Sequence, residues 1–217
     1  MTAVQVFDCL EEDTRSQGIA AAVSAIFSQN LIVMPTDTSY ALAGYAFGEA
    51  PATKMRTAKG IGETTPLQVL ISDKQVLDGI SMQAPDHARM LAEAFWPGPM
   101  TLIVPASPSL RWHVGGDERV VQVRVPDQEA AVELLSRTGP LLASAARGVS
   151  TGIVEGLDSI GDLEEHTDVF LNSGIIAPAV LSTVVDCTGA DATVLRKGKI
   201  TVGQIVDVLG YMPLVLG

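Results

Sequence analysis

Short apolar runs of strand length alternate with stretches of helical periodicity from Val4 to Leu209, and no repeat, low-complexity tract or long linker interrupts them. That alternation predicts an α/β fold. Strands are expected over residues 4–7, 31–34, 40–47, 67–71, 101–104 and 120–125, with short ones at 141–143, 169–171, 184–187 and 194–195. Helices are expected where Ile19, Val23, Ile26 and Phe27 recur, over 52–58 up to Gly60, over Asp86–Phe95 up to a Trp-Pro-Gly-Pro break, over 128–137 and over Val202–Leu209.

The chain has 217 residues, 47% of them apolar, enough to bury a sizeable core, and one domain over 1–217 is the simpler expectation. The amino terminus lacks a basic segment followed by an apolar core, and the longest apolar stretch, 18–27, is too short to span a bilayer. A soluble, cytoplasmic protein without membrane contact is expected. Cys9 and Cys187 have no metal-ligand spacing, and Cys187, in an apolar run, reads as a buried free thiol.

Twenty-five acidic against 14 basic side chains give a formal charge of −11. Such a balance repels polyanions, so a broad surface for double-stranded RNA is not expected.

Neither a G-x-x-x-x-G-K-[ST] loop nor a G-x-G-x-x-G turn occurs. Gly148-Val-Ser150-Thr-Gly152 matches G-x-S-x-G, with Asp158, Asp162 and His166 following in hydrolase order. That motif needs a long helix after the serine, whereas Gly152, Gly156 and Gly161 punctuate the segment, so a Gly/Ser loop is expected. His87 and His113 have no partner at a zinc-motif spacing and read as surface residues; no metal ligands are expected.

The string Pro35-Thr-Asp-Thr38-Ser-Tyr40-Ala-Leu42 places small polar side chains at the carboxyl end of a buried strand, where open α/β sheets bind ligands. It resembles the PTDT-x-Y-G-L opening of the YrdC/TsaC-like family. Six further segments follow in that family's order: Lys59-Gly-Ile-Gly-Glu-Thr-Thr-Pro-Leu67, Trp96-Pro-Gly-Pro-Met-Thr-Leu102, Val123-Arg-Val-Pro126, Ser144-Ala-Ala146, Ser182-Thr-Val-Val-Asp186 and Leu195-Arg-Lys-Gly-Lys-Ile-Thr201. The matches span residues 35–201, and the chain resembles the family's short form.

The resemblance implies a twisted mixed β-sheet flanked by helices, with a concave site for threonine and ATP. It also implies an activity: L-threonylcarbamoyladenylate synthesis from threonine, bicarbonate and ATP for tRNA threonylcarbamoyladenosine modification, with magnesium and with other tRNA-modification proteins as partners. Such chemistry calls for positioning and charge neutralisation. The residues that match are Lys59, Thr36 and Ser182 as catalytic groups, with Thr38, Tyr40, Arg124, Ser144, Thr183 and Arg196 as further binding groups. The hydroxyls are expected to donate to anionic ligand groups, and the arginines to grip phosphate or a buried carboxylate.

Three positions depart from the family pattern: Ile61 replaces an arginine, Thr65 a basic residue and Ala146 an asparagine, while Leu181 stands where glutamate is common. Arg56, one helical turn before Lys59, and Arg147, beside Ala146, are candidates to compensate. The Tyr40-Ala-Leu42 string and the altered Ser144-Ala-Ala146 segment also resemble the family's YciO-like branch, which gives a second expectation: a paralogue that binds nucleotide or RNA without efficient synthesis.

Overall fold

The computed structural model of the chain describes residues 3–81, 83–150, 152–176 and 178–216. Thr151, the fourth residue of the G-x-S-x-G string, lies outside the described residues, as do Met1 and Thr2 of the amino terminus. The first part of the chain forms β1 (Gln5–Asp8), α1 (Glu12–Phe27), β2 (Ile32–Pro35), β3 (Tyr40–Tyr45), α2 (Glu49–Lys59) and β4 (Gln68–Leu70). Next come α3 (Leu77–Ile80), α4 (Asp86–Phe95), β5 (Met100–Pro105), β6 (Val120–Arg124), α5 (Glu129–Thr138) and β7 (Leu141–Ala145). The last part contributes β8 (Val169–Asn172), β9 (Thr183–Asp186), β10 (Thr193–Arg196), α6 (Val202–Leu209) and β11 (Leu214–Val215).

Each expected strand and helix has its counterpart. Gly60 ends α2 in the left-handed region at φ 60°, and its amide bonds back to the last turn of the helix, which is why the pattern stops there. No periodicity marks α3 and β11, because elements of four and two residues are too short to show one.

The described strands form one open, twisted, mixed sheet in the order β1-β8-β2-β3-β7-β4-β6-β5-β9-β10-β11. β2 and β3 pair antiparallel up to Pro35 opposite Tyr40, so residues 36–39 are the tight turn at the end of that hairpin. β4 pairs antiparallel with β7 and parallel with β6, and β5 pairs antiparallel with β6 and parallel with β9.

The pleat divides the core. Val33 and Leu42 join one apolar cluster with Met55 of α2, Leu91 of α4 and Ile205 of α6. Their neighbours Ile32, Met34, Ala41 and Ala43 join the other, with Ile19 and Ile26 of α1 and Leu134 of α5. Successive strand residues point to opposite faces, so helices α2, α4 and α6 cover one face, and α1 and α5 the other.

Beyond β7 the second face changes character. Val69, Val121, Val123, Met100 and Leu102 belong to the first cluster, so the residues between them, Gln68, Gln122, Arg124 and Thr101, must point the opposite way. Polar side chains there replace the apolar ones that α1 and α5 cover further along the sheet.

Candidate functional site

A cavity of about 170 Å³ opens on this polar part of the sheet, between the 36–39 turn and the chain around Ser182 and Arg196. Among the described residues no carboxylate lines it. Its wall offers Thr36, Thr38, Ser144 and Ser182 hydroxyls, Gln68 and Gln122 amides, and the guanidinium groups of Arg124 and Arg196. Two guanidinium groups, Arg124 paired with Asp37 and Arg196 with no carboxylate partner among the described residues, make it a receptor for an anion or for a small ligand rich in acceptors.

Arg124 is held from three sides. Its Nε donates to the Gly98 carbonyl at 2.9 Å, Nη1 to Thr38 Oγ1 at 2.9 Å and Nη2 to Asp37 Oδ1 at 2.5 Å. Burial pulls the guanidinium below its ordinary pKa, and the Asp37 carboxylate opposes the pull. Three of its five N–H groups are thereby committed to protein, and two remain for a ligand. The sequence left Arg124 open between binding and structural roles; its bonds to Gly98, Thr38 and Asp37 show the structural one, and its place in the cavity lining leaves the other to be tested.

Thr36 organises the turn. Its hydroxyl donates to the Ser39 carbonyl at 2.6 Å and lies 3.1 Å from Thr38 Oγ1. Also in the lining, Arg196 donates from Nε to the Ser182 carbonyl at 3.1 Å and from Nη2 to Ser182 Oγ at 3.0 Å. Ser182 Oγ lies 2.8 Å from Thr101 Oγ1, which in turn donates to Gln68 Oε1 at 3.1 Å.

Lys59, at the end of α2, stands outside the lining itself. Its ammonium donates to the carbonyls of Ala145 at 2.6 Å and Arg147 at 3.2 Å, at the end of β7, next to Ser144. Burial, and secondly the charge of Arg147, lower its pKa to about 8.

Two of the expected site residues are turned elsewhere. Tyr40 is fully buried; its hydroxyl accepts from Ser173 N at 2.9 Å and donates to Gly174 O at 2.7 Å, pinning the chain after β8. Thr183 Oγ1 donates to Ile200 O at 2.6 Å and accepts from Gly198 N and Ile200 N, so it fixes the segment after Arg196. In both cases alternation along a strand carries the side chain away from the cavity.

The compensating pair is separated as well. Arg56 donates to His113 O at 3.1 Å and lines a second cavity, of about 580 Å³, between α2 and the 112–118 loop, together with Ile61. Arg147 is exposed and meets Lys59 through its backbone carbonyl. Thus Arg56 is not brought to the cavity of Arg124 and Arg196. His87 and His113 are half-buried, contrary to the surface placement expected of them.

The G-x-S-x-G string is no hydrolase elbow. Ser150 donates both its amide and its hydroxyl to Asp162 Oδ2 at 3.0 Å, which puts a carboxylate where a histidine base would have to stand. Cys9 and Cys187 are free and buried, and burial raises the Cys187 thiol to about 12, far from a reactive thiolate. Among the described residues no cluster of three or more His, Cys, Asp or Glu could hold a metal, and no helix is long and apolar enough to cross a membrane.

Sequence reasoning missed Gln68, Thr101 and Gln122. The sign was present in LQVL, MTLIV and VVQVR, where single polar residues interrupt otherwise buried strands at period two.

A family model described as Sua5_yciO_yrdC, telomere recombination, matches residues 24–198. The chain belongs to the Sua5/YciO/YrdC family. A Mycobacterium leprae relative, provisionally named a threonylcarbamoyl-AMP synthase, is 39% identical over 210 residues, 96% of each chain. The Bacillus subtilis threonylcarbamoyl-AMP synthase is 30% identical over 203 residues, 92% of this chain and 59% of its own length.

Solved structures of the Sua5/YciO/YrdC family superpose closely. Pyrococcus abyssi Sua5 complexed with L-threonine matches with a TM-score of 0.89 at 27% identity, covering 99% of this chain and 63% of that one. Escherichia coli YciO matches with a TM-score of 0.81 at 22% identity, covering 94% of this chain and all of that one, and supports the fold alone.

Proposed function

We propose that the protein joins L-threonine, bicarbonate and ATP into threonylcarbamoyl-adenylate, releasing pyrophosphate, for tRNA threonylcarbamoyladenosine modification. The observation that carries this reading is the cavity lined by both Arg124 and Arg196, with no carboxylate among the described residues of its lining. Relatives named for this activity, and a Sua5 structure with L-threonine on the same fold, support it.

The threonine amine attacks bicarbonate and, with loss of water, becomes a carbamate. A carbamate oxygen then attacks the α-phosphorus of ATP, and the bond to the β-phosphate oxygen breaks with its electron pair leaving on pyrophosphate. The carbamate is already an anion and the leaving group is stable, so the protein needs to position and neutralise more than to remove protons.

At about 170 Å³ the cavity is smaller than the roughly 300–1,000 Å³ of sites that engulf drug-sized ligands. It therefore takes the amino acid, with its carboxylate on the spare N–H groups of Arg124. The nucleotide lies across the mouth, between Arg196 and the Lys59 ammonium, with Thr36, Thr38 and Ser144 on the side of the reacting carbamate. Among the described residues the lining supplies no carboxylates for a dedicated ion, so magnesium comes as part of the ATP substrate, coordinated by its phosphates.

A second reading is a YciO-like paralogue that binds the ligands without efficient turnover. Ile61 and Ala146 favour it, since Ala146 is fully buried in the core and Ile61 packs against it, so neither offers a polar group to a ligand. Pyrophosphate release by purified protein with ATP, magnesium and bicarbonate, with and without threonine, decides between them. Threonine-dependent release, with a product of the mass of threonylcarbamoyl-adenylate, is expected. Measurable ATP and threonine binding without release would establish the second reading.

A further inference from the structure

The hydrogen bonds along the cavity floor run in one direction, because their first member can only donate. Arg196 Nη2 gives a proton to Ser182 Oγ at 3.0 Å. Thr101 has a single hydroxyl proton, and it is directed to Gln68 Oε1 at 3.1 Å. The 2.8 Å contact between Ser182 and Thr101 must then be a bond from Ser182 to Thr101. The order is Arg196, Ser182, Thr101, Gln68, and it ends on the carbonyl oxygen of an amide.

Two consequences follow for the ligand. Ser182 has spent its proton within the protein, so it serves a ligand as an acceptor, not as the donor that the sequence suggested. Gln68, with its oxygen taken, keeps Nε2 and both of that nitrogen's protons. Among the described residues neither Gln68 Nε2 nor the side-chain amide of Gln122 has a hydrogen-bond partner, and both residues line the cavity. They are direct register partners on the parallel pair β4 and β6, so their amides stand side by side on one face of the sheet.

We infer that Gln68, together with Gln122, is the specificity element of the cavity and reads the side-chain hydroxyl of the amino-acid substrate. A hydroxyl both accepts and donates, so it matches an amide N–H2 whose partner amide offers an oxygen. Valine, the isostere with a methyl in place of the hydroxyl, would leave both amides desolvated and unpaired. Sites built to bond a substrate hydroxyl reject the analogue without it far more strongly than apolar pockets reject an extra methylene. The inference rests on the amino-acid reading of the cavity proposed above.

The test is calorimetric binding of L-threonine, L-serine and L-valine to wild type, Gln68→Met and Thr101→Val, with threonine-dependent pyrophosphate release measured alongside. Wild type is expected to prefer threonine to valine. Gln68→Met, close in shape and without polar atoms, is expected to weaken threonine and serine roughly ten-fold or more while valine holds or improves. Thr101→Val touches no ligand but frees the Gln68 amide to turn over, and is expected to narrow the threonine-to-valine ratio in the same sense; it keeps the test decisive if Gln68→Met does not fold.

Equal losses for threonine and valine in the variants, or an unchanged ratio, would overturn the role of Gln68 while the wild-type synthesis still stands. A wild type that binds neither threonine nor serine would overturn the amino-acid reading itself, and the Gln68 assignment with it.

Discussion

Arg124 and Asp37 form a buried ion pair, Nη2 to Oδ1 at 2.5 Å, with the arginine side chain 3% and the aspartate 11% exposed. Asp37 Oδ1 also accepts from Asp127 N at 3.0 Å, so one carboxylate ties the 36–39 turn to the end of β6 and aims the guanidinium at the cavity. Removing one partner of such a pair leaves the other charged and desolvated. Asp37→Ala is therefore expected to lower folding stability by about 3–5 kcal/mol. Urea unfolding checks it; a loss of a few tenths of that size would mean the pair is far better hydrated than its burial indicates.

The lowered pKa of Lys59 gives anion binding a pH dependence of definite sign. The free ammonium loses its proton at about 8, and a bound phosphate raises that value by favouring the charged form. Binding thus takes up a proton, and ATP affinity is expected to fall as pH rises through about 8. In Lys59→Arg, which stays charged throughout, that fall should disappear. ATP titrations on either side of this pH read the difference, and a flat wild-type profile would remove Lys59 from the nucleotide's surroundings.

Folding and binding effects should part at Tyr40 and Thr183. Tyr40→Phe leaves Ser173 N without its acceptor, and Thr183→Val does the same to Gly198 N and Ile200 N. Each is expected to reduce stability by about 1–3 kcal/mol. Threonine affinity at a temperature where the variants stay folded should change little for Tyr40→Phe. Ten-fold weaker threonine binding by a folded Tyr40→Phe would place its hydroxyl in the site after all.

Ser150→Ala separates the hydrolase string from function. Ser150 bonds the half-buried carboxylate of Asp162 and lies outside the cavity lining. Pyrophosphate release is expected to match wild type, and no ester-hydrolysing activity should be present to lose. A drop in either rate would reopen the motif.

Arg56→Ala tests the compensation expected from helical spacing. The side chain braces the 112–118 loop through His113 O and is expected to alter that loop's protease sensitivity without weakening ATP binding. Weaker ATP binding at unchanged protease sensitivity would restore Arg56 to the site.

The strand and helix order, the αL stop at Gly60 and the position of the PTDT turn were legible in the sequence, because they follow from period, glycine and the end of a buried strand. Motif order likewise singled out Arg124, Ser182 and Arg196. Which hydroxyls face the cavity was not legible. Tyr40 and Thr183 stand one residue beyond Ser39 and Ser182, and the pleat sends such neighbours to opposite faces, one into the cavity and the other into the structure behind it.

Nor could any local pattern show that Gln68, Thr101 and Gln122 meet. They come from three strands, and they become neighbours only through the pairing of β4 with β6 and β6 with β5. The sequence alone determined which segments are strands and which residue types the site has to draw on, since those depend on local periodicity and chemistry. The tertiary structure alone decided which donors are already satisfied by protein, because a hydrogen bond's direction depends on partners that lie far apart in the chain.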